Sequence, residues 1–176
     1  RMLHDALTWS TLCSANTIAN LNKQVENGSV VDLINMCETK HNNMLSELGL
    51  KIKNDIENIR LIAIAGPSSS GKTTFSHRLR IELMTRGINP VKISMDDYYL
   101  ERSLAPLDDF GEPDLENVAA LDIDLFNKHL LALIQGDEVQ LPVFNFKTGK
   151  RELGKKVRIP ANTPIIIEGI HALNEQ

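Results

Sequence analysis

The chain has 176 residues, a length for one domain or one domain with a small appendage. Apolar residues make up 42% and charged residues 24%, enough for a core beneath an ordinary polar surface, and a net charge of −4 argues against nucleic acid as the main partner. Cys13 and Cys37 have no metal-ligand spacing and outline no disulfide framework, and no apolar run nears the roughly 20 residues of a membrane span, so a reducing, cytoplasmic setting without a membrane partner is expected.

Residues 1–58 contain no proline and are rich in Asn, Leu and Ile, which predicts a helical N-terminal segment ahead of a second region over 59–176. Ser14 is a candidate cap for a short helix that ends before Gly28. Ser29 followed by Asp32 signals the start of another. Its apolar positions, from Val30 and Leu33 through Leu45 and Leu48 to Ile59, recur near a period of 3.6, and Gly49 is a candidate bend. His41 reads as a packed or surface histidine, since no second ligand lies within helical reach.

From Leu61 the pattern alternates between strand and helix. Residues 61–65 form a short apolar strand. A helix over 72–86 places Phe75, Leu79 and Leu83 on one face and closes at Gly87. A second strand covers 91–95. Asp122 caps a helix running to about Gln135, with Gly136 as its stop. Residues 141–146 and 156–159 suggest a hairpin across the polar KTGKRELG stretch, and 165–167 a third parallel strand. This order predicts a three-layer α/β fold around a parallel sheet, with the strand at 61–65 in mid-sheet.

Between the first strand and the first helix of this region, Gly66, Gly71, Lys72 and Thr73 match G-x-x-x-x-G-K-S/T. The mechanics of such a loop assign nucleotide contacts to Gly66, Pro67, Ser68, Ser69, Ser70, Gly71, Lys72, Thr73 and Thr74. Backbone N–H groups surround a polyphosphate, Lys72 reaches its outer phosphates, and the Thr73 hydroxyl meets Mg²⁺. The ligand expected is ATP or GTP with magnesium. Ligands of parallel sheets sit beyond the carboxyl ends of the strands, which is where Asp96, Asp97 and Glu168 fall. An acid there either accepts a proton from a hydroxyl or holds magnesium. His171 follows Glu168 closely and reads as structural.

Taken together, GPSSSGKTTFS, SMDDYY, ALD before a helix, PVFNFKTGKR and IIIEGIHAL resemble, in that order, the uridine kinase and phosphoribulokinase family of P-loop kinases. The resemblance covers about residues 61–173. The N-terminal helices resemble the segment before the kinase domain in long uridine-kinase-like proteins, which is itself similar to the N-terminal domains of threonyl-tRNA synthetase. The resemblance implies that Asp96 is the catalytic base near the metal, that Lys72 stabilises the transferring phosphoryl group, and that Glu168 joins Thr73 and Asp96 around Mg²⁺. It implies substrate-side roles for Tyr99, Glu116, Phe144, Phe146 and Arg151. Two positions depart: Phe144 stands where uridine-cytidine kinases carry a tyrosine, and Gly149 where they carry a histidine. Losing two polar readers weakens the case for uridine itself.

The expected activity is therefore ATP- and Mg²⁺-dependent phosphoryl transfer to a hydroxyl of a nucleoside-like small molecule. Two alternatives remain open: a non-catalytic ATP-binding regulatory module, and a kinase of another small alcohol such as pantothenate or ribulose 5-phosphate. Kinases of this kind continue past the EGI motif, so the sheet is expected to be incomplete at its C-terminal end, and an oligomer is allowed.

Overall fold

The computed structural model describes residues 2–160 and 163–174, and the chain divides into two compact units, Arg1–Leu48 and Gly49–Gln176. The first holds α1 (Met2–Leu12), α2 (Ile18–Glu26) and most of α3 (Val30–Asn54). The cap of α2 is Thr17, whose Oγ1 accepts the Asn20 N–H at 3.1 Å. Ser14, the expected cap, instead occupies the break between α1 and α2 at φ 51°. Lys40 of α3 lies over the Trp9 ring of α1, 3.8 Å from its centroid.

Gly49 does not interrupt α3, which runs through it to Asn54 rather than to Ile59. The glycine serves a close approach. A Cβ there would stand 2.7 Å from Glu82 Cγ, on α4 (Lys72–Met84).

The second unit is built on a three-stranded parallel sheet of β1 (Leu61–Ala65), β2 (Val91–Ser94) and β5 (Ile165–Gly169). Among the described strands β5 is central, pairing with β1 on one side and β2 on the other. β1 thus lies at the edge of these three strands, in a sheet expected to be incomplete. Burial follows the order: every residue of β5 is buried, whereas Leu61 of β1 is exposed.

Alternation along the strands gives the sheet two faces. Ile93, Ile165 and Ile167 point into a core shared with Tyr98, Phe126 and Leu133, the last two on α5 (Ile123–Gln135). Lys92, Ser94, Ile166 and Glu168 occupy the other face, which α4 covers. Helix α5 starts as expected, with Asp122 Oδ1 accepting the Leu125 N–H at 3.1 Å, and stops at Gly136 in the left-handed region.

Strands β3 (Val139–Asn145) and β4 (Lys150–Val157) form an antiparallel hairpin. Its turn is shorter than expected. Only residues 146–149 turn, and the Arg-Glu-Leu-Gly segment belongs to β4, with Arg151 opposite Phe144 and Lys150 opposite Asn145. Among the described residues no helix is long and apolar enough to cross a membrane.

Candidate functional site

The site assembles where β1, β2 and β5 end. After β1 the chain makes a tight loop, with Ser69 at φ 59° and Gly71 at φ 88°, so successive backbone N–H groups turn toward one side. Gly66 is crowded by side chains of the loop: a Cβ would stand 2.8 Å from Ser70 Oγ and 3.3 Å from Lys72 Cγ. Helix α4 begins at Lys72, and the Phe75 N–H already bonds to the Gly71 carbonyl at 2.9 Å. The helix therefore presents its positive end to the loop. Lys72 Nζ donates to the Pro67 carbonyl at 2.9 Å, closing the loop on its own lysine.

Glu168 is the buried acid of the site, only 3% exposed. The Thr73 hydroxyl lies 3.0 Å from Oε1 and 3.1 Å from Oε2, sharing its one proton between them. Lys92 Nζ lies 3.3 Å from Oε1. Beyond β2, residues 95–98 form a short 3-10 turn that carries Asp96 and Asp97. Burial, with the nearby Glu168 charge, pushes the Asp96 carboxyl above the usual carboxylate range, although Lys72 pulls the other way. Burial also raises Asp97, whose Oδ1 accepts the Phe144 N–H at 3.2 Å.

Thr73, Lys92, Asp96, Asp97 and Glu168 line a cavity of about 440 Å³ together with Phe146 and Lys155 of the hairpin region. Of the five residues expected to face a substrate, Phe146 lines this cavity and is half exposed. Tyr99 and Phe144 are buried behind it. The three rings meet edge to face, with centroids 5.0 Å apart for Phe144 and Phe146 and 5.6 Å for Tyr99 and Phe144. Burial pushes the Tyr99 hydroxyl up to about 12. Arg151 does not line the cavity; its Nη1 pairs with Asp122 Oδ2 at 2.8 Å. Glu116 is exposed and also away from the wall, its carbonyl accepting from His171 Nε2 at 2.9 Å.

The departure at Gly149 has a structural counterpart. Gly149 sits at φ 66°, and a Cβ there would stand 2.6 Å from Arg102 Cδ. Arg102 lies across the hairpin turn, with its N–H on the Gly149 carbonyl at 3.1 Å and Nη2 on the Phe146 carbonyl at 3.0 Å. Neither Arg102 nor Lys92 stands out in the sequence. A lysine inside a short apolar strand, two residues before Ser94, was the one signal that could have flagged Lys92.

The donors fit the expected group. The Thr73 hydroxyl and the Glu168 and Asp96 carboxylates are hard oxygen ligands. Among the described residues no cluster of three or more His, Cys, Asp or Glu side chains gathers to hold a metal. Magnesium retains waters and takes much of its shell from substrate phosphates, so it needs few protein oxygens.

The model of the Phosphoribulokinase / Uridine kinase family matches residues 61–176. A uridine kinase from Brevibacillus brevis is 30% identical over 116 residues, covering 66% of this chain and 53% of that protein. A protein named inorganic pyrophosphatase TTM2 from Arabidopsis thaliana is 35% identical over 127 residues, covering 72% of this chain and 17% of that one. The chain thus spans about half of the bacterial relative and a small part of the plant one. A solved structure described as a possible uridine kinase from Bacillus stearothermophilus superposes with a TM-score of 0.64 at 21% identity, over 77% of this chain and 74% of that one. This last likeness is one of fold.

Proposed function

The chain belongs to the phosphoribulokinase / uridine kinase family, and from that premise we propose that it transfers the γ-phosphoryl group of ATP to a hydroxyl of a nucleoside-like small molecule. The observation that carries the reading is one cavity lined by Asp96, by the Thr73–Glu168 pair and by Phe146. Binding alone needs the loop; it does not need a desolvated carboxylate facing an acceptor wall.

In this reading the N–H groups of Gly66 and of residues 68–74 cradle the β- and γ-phosphates, and Lys72 leaves the Pro67 carbonyl to meet them. Thr73, Glu168 and Asp96 would hold magnesium, which would offset the negative charge of the transferring phosphate. Asp96 orients the acceptor hydroxyl and accepts its proton. Phe146 offers an apolar face to the acceptor, held by Tyr99 and Phe144 behind it. Arg151 acts at one remove, fixing β4 to the start of α5. Glu116 would reach the acceptor's ribose hydroxyls after a movement of its exposed loop. The setting proposed is cytoplasmic.

The test is phosphate transfer from MgATP to a panel of uridine, cytidine, other nucleosides, pantothenate and ribulose 5-phosphate, with Asp96→Asn as control. Loss of a general base lowers kcat by about 10²–10⁴-fold, roughly 3–5 kcal/mol of barrier, with nucleotide affinity retained. Near-normal turnover by Asp96→Asn would remove Asp96 from the role. The second reading is a nucleotide-sensing module inside a longer protein. It is favoured by the plant relative, which bears the name of a pyrophosphatase and is matched over only 17% of its length. Tight MgATP binding with no transfer to any acceptor would select it.

A further inference from the structure

Lys92 is placed against the ordinary use of its residue type. It lies inside β2, and strand alternation puts it on the same sheet face as Ser94, the register partner of Glu168. Its ammonium therefore stands diagonally across from Glu168 and reaches Oε1 at 3.3 Å. Glu168 is 3% exposed, so its charge is screened little by solvent. A carboxylate buried this far needs compensation. The Thr73 proton supplies one hydrogen bond but no charge. Lys72 is engaged by the Pro67 carbonyl. Lys92 is the cation in ion-pair contact with Glu168 among the described residues.

We propose that Lys92 is an internal counter-ion which must leave Glu168 before a divalent cation can engage that carboxylate, so that Lys92 sets how much metal the site requires. This rests on the nucleotide-binding reading of the loop. With the ammonium on Oε1, a metal has Oε2 alone to approach, and the Thr73 hydroxyl already lies 3.1 Å from that oxygen. An ammonium released from Glu168 remains in a cavity that Asp96 and Asp97 also line, so it has carboxylates to turn to. Lys92 is thus a positioning residue for Glu168.

The experiment is a Mn²⁺ titration of the intact protein with a non-hydrolysable ATP analogue, read by water-proton relaxation, for the unaltered chain, Lys92→Met and Lys92→Arg. Lys92→Met should bind Mn²⁺ about tenfold more tightly, the scale of one partly exposed ion pair, while Lys92→Arg stays near the unaltered value. Thermal melting in EDTA supplies a metal-free readout. Lys92→Met should melt lower than the unaltered chain, and adding Glu168→Gln should recover most of the difference. Equal or weaker Mn²⁺ binding by Lys92→Met, in a chain that does bind nucleotide, overturns the proposal alone. Failure of the unaltered chain to bind the analogue with Mn²⁺ overturns the nucleotide reading and the proposal with it.

Discussion

Replacing Gly149 with alanine tests how the hairpin tip is held. Two costs can be worked out from the geometry. The residue sits at φ 66°, where an L-residue with a Cβ costs about 1–2 kcal/mol. The new methyl would also stand 2.6 Å from Arg102 Cδ and 2.8 Å from Arg102 Cγ. Because Arg102 is long and exposed, it moves aside, giving up its 3.0 Å hydrogen bond to the Phe146 carbonyl. At an exposed site that bond is worth about 0.5–1 kcal/mol. Gly149→Ala should therefore destabilise the chain by about 1.5–3 kcal/mol. Arg102→Ala alone should cost only about 0.5–1 kcal/mol. In the double variant the methyl has no side chain to displace, so the two losses should sum to about 0.5–1 kcal/mol less than additive. Urea denaturation of the four chains measures the cycle. Strict additivity, or a neutral Gly149→Ala, would refute the claim that Arg102 fills the space over Gly149. The cycle has a functional extension. Gly149→His, which restores the residue of uridine-cytidine kinases, should improve uridine phosphorylation only when Arg102 is also truncated.

Other substitutions probe the loop and the α5 cap. Thr73→Val keeps the side-chain volume but removes the one hydroxyl on Glu168; magnesium-dependent nucleotide affinity should fall about tenfold or more, checked by calorimetry with and without Mg²⁺. Gly66→Ala pushes Ser70 Oγ and Lys72 out of place, and the loss of about one hydrogen bond to a charged phosphate predicts a 10–100-fold weaker nucleotide, roughly, by fluorescence titration. Burial pushes the Asp122 carboxyl up, but the Arg151 guanidinium and the Leu125 N–H outweigh it and hold it below the usual carboxylate value. The folded value is the lower one, so this group stabilises fully above the unfolded value of about 3.9 and ceases to do so as pH falls through the folded value. Asn keeps the cap but not the charge, so Asp122→Asn should cost about 0.5–1 kcal/mol at neutral pH and show a shallower acid-unfolding limb below about pH 4; identical limbs would count against the pair.

Features that are local in sequence were readable, and those that depend on distant partners were not. Asp122 and Gly136 bracket α5 because a cap and a left-handed stop are written in single residues. The phosphate loop was readable for the same reason. Arg151 looked like part of a polar turn because its partner, Asp122, lies 29 positions away and pairs only after the hairpin folds onto α5. The centrality of β5 was hinted at by three consecutive isoleucines before Glu168, yet an apolar run does not say which strand pairs on both sides. Helix α1 gave little signal because Leu3 and Leu7 are exposed, so no buried stripe marks it. At the candidate site the acids were found by their position after strands. Lys92 and Arg102 were missed because their roles depend on Glu168 and Gly149, each far along the chain.

The hairpin is tied down four times over. Asp97 holds the Phe144 N–H, Tyr99 packs on both phenylalanines, Arg102 bridges the tip, and Arg151 grips Asp122. Three of those ties come from residues within six positions of Asp96. The proposed acceptor wall and the proposed base are therefore joined through one short segment. On the proposed reading, a molecule that forced Phe146 outward would pull on the 3-10 turn through Tyr99, and with it on Asp96. Misfit is then converted into mis-aim. Poor acceptors should still occupy the cavity, with the penalty falling on turnover more than on affinity.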